Sequence, residues 1–445
     1  MRVAVIGSGI AGLSSAWLLD PYHQVTLYEA NPRLGGHSHT VEALVRDRRI
    51  PVDTGFIVYN ERNYPNLTAL FDHLRIATEA SNMSFGFSQD QGAFEYSSIT
   101  WSALFAQRRR LLDPRHYALL LGIVRFNARA TDFLASGAPD RPLGDWFAAN
   151  SVPQIVARRY VLPMAAAIWS APIATVMQFS ARSFLTFFDR HGLLTVADQP
   201  TWRTVVGGSR TYVEKMSKAL RGEVRRATPV RAVRRVEGGV VVTDAMGNED
   251  RFDAVVFGAH SDETRAMLAD RTPHEDAVLG HFPYQPNHAV LHSDPALMPK
   301  RRRAWASWNF LTGRASDPDM PVSITYWMNS LQNIDPAYPL FVSLNPLQEP
   351  DPALVHARMD YAHPVFDTAT VAAQAELASL QGAGGVWYAG AWCGYGFHED
   401  GLASALAVAR MGFGIEAPWL RPAGPVAVPA SGAAGMIDNA AARQA

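Results

Sequence analysis

The chain has 445 residues, 48% hydrophobic and 18% charged, with 40 lysines plus arginines, 41 acids and a formal net charge of −1. That balance is globular and gives no electrostatic reason to expect a nucleic-acid partner, and the length exceeds what one small core organises, so two domains are expected. The single cysteine, Cys393, excludes an internal disulfide and a multi-cysteine metal cluster.

In chain order, Arg2 to Ile6 reads as a buried β-strand, Gly7-Ser8-Gly9-Ile10-Ala11-Gly12 as the turn after it, and Leu13 to Leu19 as the start of a helix. Gln24 to Tyr28 reads as a second strand and runs into Glu29. Strand, turn, helix and strand, with G-x-G-x-x-G at the turn and an acid about twenty residues on, make the dinucleotide-binding fingerprint. Gly7 permits the tight turn, Gly9 lets the backbone approach a pyrophosphate, and Gly12 lets the helix pack on the strand. The helix start offers free N–H groups and a partial positive charge to phosphates. Glu29 is placed to accept from a ribose hydroxyl. Since the sequence opens on a strand the fold needs, no cleavable leader is expected.

Ala30 to Thr40 follows, and its Gly35-Gly36 pair implies backbone close to something bulky. Pro51 to Asp53 ends a strand, and Thr54-Gly55-Phe56 turns out of it. From Asn63 to Ala197 the spacing predicts a largely helical stretch. Its longest apolar run, Val161 to Met177, is interrupted by Pro163 and Pro172 and too short for a membrane span, so it reads as core or as the lining of an apolar cavity. Arg108-Arg109-Arg110 and Arg115, set among Trp101, Leu104, Phe105, Leu111 and Leu112, suit a peripheral contact with anionic lipid headgroups. A solvated helix face is the plainer reading.

Val205 to Ser209 leads into a predicted helix, Thr211 to Leu220. Strands are predicted over Val224 to Val236, Val240 to Thr243, Phe252 to Phe257, His288 to His292, Val322 to Trp327 and Leu340 to Leu344. Trp305, Trp308, Phe310, Tyr326 and Trp327 make the later part aromatic, either as core or as the wall of a cavity for a greasy substrate. Val386 to Gly390 reads as the last buried strand, and a glycine-rich turn carries it into a helix, Leu402 to Phe413. The tail beyond Leu420, rich in Ala, Pro and Gly, is expected to be disordered.

The glycine turn with its acid, Arg33-x-Gly35-Gly36-x-x-x-Thr40, Asp53-x-Gly55, Gly207-Gly208, and the late Ala389-Gly390 strand feeding a helix resemble the FAD-dependent amine oxidase superfamily. That group includes monoamine oxidases, protoporphyrinogen oxidases, carotenoid desaturases and fatty-acid double-bond isomerases. Asp53 to Asn60, taken with Gly396-Phe397-His398-Glu399-Asp400-Gly401, is similar more narrowly to a bacterial subgroup of flavoproteins that accompany cyclopropane-fatty-acid-synthase-like methyltransferases. The likeness spans residues 1–415 or so and is specific for FAD but weakly so for substrate.

The resemblance implies an α/β fold: a Rossmann-type, glutathione-reductase-like parallel sheet for FAD from 1–60, 201–260 and 386–415, and an interleaved α+β substrate domain from 61–200 and 261–385, with 421–445 outside both. It implies non-covalent FAD with its pyrophosphate cradled by Gly7, Ser8, Gly9, Ile10, Ala11 and Gly12. Glu29, with Ala30 beside it, would hold the adenosine ribose, Arg33 would lie on the adenine side, and Gly35, Gly36 and His37 would let the backbone pass close by. Thr54 and Gly55 would border the cofactor, and Val230 would meet the adenine through its backbone. Gly390, Ala391 and a helix beginning near Gly401-Leu402 would face the flavin, the positive helix end favouring its anionic reduced form. No metal is implied.

Three departures from the wider family stand out. His37 occupies the place where many amine oxidases carry Arg, and Ala391 the place where many relatives carry Asp. Of the only three lysines, Lys215, Lys218 and Lys300, Lys300 alone lies in a region where the lysine that holds a water near the flavin in several amine oxidases would be sought. His398 is the candidate acid or base and Tyr395, with Trp392, a candidate wall of the site; helix capping and packing are the alternatives. The implied activity is an oxidoreductase taking a hydride from an apolar substrate, in its sharpest form a lipid acyl chain. An amine oxidase forming imine and hydrogen peroxide is one alternative. Another is an FAD-binding electron carrier or structural partner of a lipid methyltransferase. A cytoplasmic location is expected, with any peripheral contact at the inner membrane face.

Overall fold

A computed structural model describes residues 1–98, 100–169, 172–195, 200–313 and 323–420; the tail read as disordered lies outside them. The organising element is a five-stranded, all-parallel sheet in the order Glu223–Arg225, Gln24–Tyr28, Arg2–Ile6, Ala254–Phe257, Val386–Tyr388. A parallel sheet covered on both faces needs apolar side chains at odd and even positions alike. Arg2–Ile6 supplies them, with Val3 and Val5 entering one buried cluster and Ala4 and Ile6 another. Helices Ile10–Leu19, Arg210–Ala219 and His398–Phe413 close the first cluster. An antiparallel three-stranded sheet, Val230–Val236, Gly239–Asp244 and Glu249–Phe252, closes the second. The chain winds to one side of Arg2–Ile6 and then to the other, which puts the glycine turn after that strand at a topological switch point, where such sheets bind ligands.

Helix Pro65–Leu74 packs into the first cluster, and Pro273–Gly280 and Thr368–Leu380 into the second. Three helices drawn from 61–200 and 261–385 therefore rest on the dinucleotide sheet.

A second sheet of seven strands runs Val355–Pro364, Tyr284–His292, Phe341–Leu344, Ser323–Trp327, Trp308–Thr312, Phe85–Gln89, Phe94–Ser97. Helices Pro114–Ala135, Leu162–Trp169 and Ala181–Arg190 share its core. Phe85–Gln89 and Phe94–Ser97 fall inside the stretch predicted to be largely helical. The alternation Phe85/Phe87 and Phe94/Tyr96 around Gly92, whose φ is +91°, is a hairpin pattern that the helical spacing beyond residue 114 outweighed. Within the apolar run 161–177, Val161, Leu162, Met164, Ala165, Ala166, Trp169 and Val176 are buried in this core. Among the described residues, no helix is long and apolar enough to cross a membrane.

Candidate active site

The glycine turn is built by close approach. Gly7 has φ +94° and donates its N–H to Tyr28 O at 2.8 Å, and a Cβ on Gly12 would lie 1.9 Å from Gly7 O and 2.9 Å from Gly7 C. Gly36 sits so close that its Cβ would fall 2.9 Å from Gly9 Cα. Gly9 itself differs: at φ −61° and ψ 178° any residue fits the backbone, and a Cβ there meets nothing within 4 Å. The chain gives no reason of its own for a glycine at this place. Helix Ile10–Leu19 starts here with no side-chain cap and no acid in its first turn, so its positive end faces the same open space.

Glu29 is buried at the end of the second strand. Its Oε2 accepts from Ser8 N and Ser8 Oγ at 2.9 and 2.6 Å, and its Oε1 from Asn31 N and Nδ2 at 2.8 and 3.1 Å. A carboxylate offers about four acceptor sites, so a ribose hydroxyl reaches Glu29 by displacing Ser8 Oγ or Asn31 Nδ2, the two donors that can rotate away. The backbone of Glu29 pairs with Arg225 O and Thr228 N, which brings Val230, at the head of its strand, to this end of the site.

Residues 33–40 fold over the turn. Arg33 Nη1 donates to Gly36 O at 2.7 Å. Its guanidinium bears on His37, His39 and Tyr361, which places it at this loop. A cluster that the sequence did not show gathers here: the His37 ring lies 5.0 Å from Tyr361, 5.2 Å from His363 and 6.1 Å from His260, and His260 stacks on Tyr284 at 4.5 Å. Tyr361 and His363 come from strand Val355–Pro364, two positions apart on one face, a spacing that could have flagged them. The Nε2 of His37 is buried with no hydrogen-bond partner in the chain. Burial, then His363 and His260, hold this imidazole well below its ordinary range, so it is neutral near pH 7. Thr54 spends its hydroxyl on His39 O and Tyr361 OH, and a Cβ on Gly55 would lie 2.3 Å from His37 O; both support the loop from beneath.

Asp53 is the hub below it. The carboxylate accepts from Thr40 Oγ1 at 2.6 Å, Ser209 N at 2.9 Å, Ser209 Oγ at 2.7 Å and Gln332 Nε2 at 3.1 Å. Burial pushes it up to about 6, against those hydrogen bonds.

The last helix begins at His398, earlier than the expected start near Gly401-Leu402. The cause is a cap that precedes Gly401: Asp400 Oδ2 accepts from Phe397 N at 2.9 Å. Gly401 is then a packing residue, its Cβ falling 2.7 Å from Ile10 Cγ2, while Leu402 is buried. Two helix N-termini consequently stand side by side, and their dipoles add. Gly390 donates its N–H to Ser404 Oγ at 2.9 Å, and Ala391 O accepts from Gly394 N and Gly396 N, so the turn is bound to this helix.

His398 does not fit the expected acid or base. Its ring stacks on Phe56 at 3.8 Å, its Nε2 lies 2.9 Å from both Ser38 Oγ and Tyr212 OH, and burial depresses it to about 3. It is a neutral imidazole that pins the loop and helix Arg210–Ala219 to the last helix. Tyr395 packs half-buried against the larger core, next to an aromatic cluster: Phe397 on Phe187 at 4.7 Å, Phe187 on His191 at 3.7 Å and on Trp169 at 4.7 Å. Lys300 is exposed and bonds Glu95 through its backbone, at the Phe94–Ser97 edge of the seven-stranded sheet, the edge opposite Val355–Pro364. Lys215 and Lys218 are exposed on their helix, so none of the three lysines faces the site. Cys393 is half-buried, and desolvation pushes its thiol up to about 12.

An unfilled glycine position, an uncapped helix start and an orphaned buried imidazole fit an extended dinucleotide. The family model for flavin-containing amine oxidoreductases matches residues 10–286. The chain belongs to that family. The chain is 26% identical over 243 residues to a probable zeta-carotene desaturase of Synechococcus elongatus, an alignment covering 48% of this chain and 47% of that one, so it spans about half the length of that relative. Two solved structures share the fold: a fatty acid isomerase from P. acnes producing CLA, at 15% identity, TM-score 0.64 and coverage of 92% and 98%, and cyclohexylamine oxidase from Brevibacterium oxydans, at 16%, 0.65, 92% and 98%. As a member of this family the protein is an FAD-dependent oxidoreductase, with the Rossmann-type domain expected from its sequence.

Two expected results follow for this protein. As a neutral donor, His37 should be replaceable by Gln with little loss of FAD affinity, whereas His37→Ala should weaken FAD binding about tenfold, read by fluorescence titration of apoprotein. Equal affinities for the two variants would remove His37 from the cofactor site. The second result concerns acid. Burial holds His39, His191, His292 and His363 at about 4 and His398 at about 3, and His37 lower than normal. Each takes a proton more readily when unfolded, so its stabilising contribution is complete above about pH 6.5 and is lost as pH falls toward about 4. Asp53 at about 6 and Asp400 at about 7 act in the opposite direction over the same window. Glu399, also raised by burial, joins the two aspartates, and the six imidazoles outnumber these three acids, so Tm should drop as pH is lowered from about 7 to about 5 at saturating FAD; a flat or rising Tm contradicts this.

Proposed function

We propose that this protein takes a hydride equivalent from a carbon of an apolar substrate, a lipid acyl chain, as a desaturase or oxidase. The observation that carries the reading is the aromatic cluster of Trp169, Phe187, His191 and Phe397, packed in the larger core beside the start of the last helix, whose one imidazole burial keeps neutral. Such a cluster next to the flavin would exclude water and align a chain by shape, which is what hydride removal from an unactivated or allylic carbon needs. It presents no lysine, and the site has none elsewhere.

FAD, when bound, supplies the hydride acceptor. The chain's residues would hold it: the N–H groups at the start of helix Ile10–Leu19 would take its pyrophosphate, with Gly9 leaving room for the approach and Ser8 and Glu29 ordering the turn. The unpartnered His37 Nε2 would meet it from the covering loop, and Val230 would border the adenine end. Desaturation also releases a proton from the neighbouring carbon; it would pass to solvent and not to His398, which stays neutral and bound between two hydroxyls.

The experiment is anaerobic mixing of purified holoprotein with unsaturated and methyl-branched acyl lipids and, separately, with a panel of amines, following flavin absorbance. Bleaching by an acyl lipid supports the reading. Bleaching by amines alone, with peroxide released on admitting air, replaces it with amine oxidation.

A further inference from the structure

The exposed apolar side chains of this protein are concentrated. Trp101 is 82% exposed, Leu112 90%, Leu121 59% and Val124 64%, with Leu111 and Tyr117 also open, all within 24 residues of sequence. Helix Pro114–Ala135 turns Leu119, Phe126, Ala130 and Phe133 into the core. Tyr117, Leu121 and Val124, spaced i, i+4 and i+7, form a second apolar stripe on its outer side. One apolar stripe packs a helix; a second, left open, marks a contact with something else.

The charge around the stripe says with what. Residues 100–131 contain six arginines and one acid, Asp113, a local charge of +5 in a chain whose total is −1. Asp113 is already paired with Arg110. Arg108, Arg109, Arg115 and Arg125 are exposed around the apolar side chains. The segment is held in place: Gln107 Nε2 donates to Gly92 O and Ala93 O at 2.9 and 3.1 Å, Arg109 Nη2 donates to Ala93 O at 3.0 Å, and the Arg110 guanidinium lies 4.8 Å over Phe94. The short helix Trp101–Leu104 lies against Arg302–Ala304, which adds exposed Arg302 and Arg303 to the same side.

We propose that this face docks on an anionic lipid bilayer, with the arginines at the headgroups and Trp101, Leu112, Leu121 and Val124 entering the interface. A second copy of the chain is disfavoured, because a symmetric contact sets +5 against +5. A nucleic acid would match the arginines and leave the leucines and valine in water. Cations ringing an apolar, tryptophan-bearing patch match the boundary of an anionic membrane. The docking stands apart from the acyl-chain reading, since adsorption requires no turnover and the vesicle lipids need not be substrates.

The test is flotation of the holoprotein with phosphatidylcholine vesicles and with vesicles that also contain phosphatidylglycerol. Binding is expected only to the mixed vesicles and should be released as salt is raised. R115E/R125E should lower the vesicle affinity by at least about tenfold, and L112S/L121S by about tenfold, each with flavin absorbance and Tm unchanged because the altered side chains are exposed. Three outcomes overturn the proposal: no binding to mixed vesicles at low salt, binding that both variants retain in full, or variants that convert a dimer to a monomer while the parent ignores vesicles.

Discussion

Gly9→Ala should give a folded protein that purifies without flavin colour. The reasoning separates two glycines that look alike in the sequence. At Gly9 the backbone suits any residue and the space where a Cβ would go holds no protein atom within 4 Å, so folding has no objection to Ala. The objection comes from the cofactor: a methyl there holds the pyrophosphate off the helix start and lengthens hydrogen bonds to a charged ligand, each worth about 1.5–3 kcal/mol, for a loss of about 10²-fold in FAD affinity. At Gly12 the same methyl would lie 1.9 Å from Gly7 O, so Gly12→Ala should fail at folding before binding is ever tested. Absorbance, FAD titration and thermal melting of the pair decide the matter. Normal flavin content in Gly9→Ala would move the cofactor away from this turn.

Asp53→Ala should cost about 3–5 kcal/mol of stability, because it orphans buried donors from three segments at once, the Thr40 hydroxyl, the Ser209 amide and hydroxyl, and the Gln332 amide. Chemical denaturation at constant FAD measures it. The pH dependence has a definite sign. Burial raises the folded carboxyl to about 6, above its unfolded value, so the folded chain holds the proton more tightly. The contribution of Asp53 is therefore fullest below about pH 4 and shrinks as pH climbs to about 6. The stability gap between the parent and Asp53→Ala should narrow over that interval. A gap that widens would mean that Asp53 is ionised and well paired throughout, contrary to its dry setting.

The dinucleotide fingerprint was legible because glycine spacing is a local property: Gly7, Gly9, Gly12 and Glu29 act through the backbone of one β–α–β unit. The closing strand and helix were legible for the same reason, although the helix starts at His398, ahead of Gly401-Leu402, because Asp400 caps the Phe397 N–H from inside its first turn. What the sequence hid lies between segments. The imidazole cluster needs His37, His260 and His363, which come from three distant parts of the chain. The hub role of Asp53 appears only when Ser209 and Gln332, 156 and 279 positions away, are seen on its oxygens. His398 was misread because composition cannot show burial: near neutrality an imidazole is an acid or base only where water or a counter-charge lets it ionise, and Phe56, Ser38 and Tyr212 leave no such opening. Residues 61–200 mislead similarly, since a helix such as Pro65–Leu74 carries no mark of which sheet it covers.

The strand order also constrains how the enzyme is made. The dinucleotide sheet draws its edge strand from Val386–Tyr388 and its second helix tip from His398–Phe413, while its centre comes from Arg2–Ile6. A ribosome must translate past Phe413 before those pieces can meet, so the nascent N-terminal segment waits with its Val3–Val5 surface unsealed. Cofactor loading is then a late event that follows synthesis of helix His398–Phe413, and a truncation near residue 380 should produce an aggregation-prone polypeptide rather than a smaller flavoprotein.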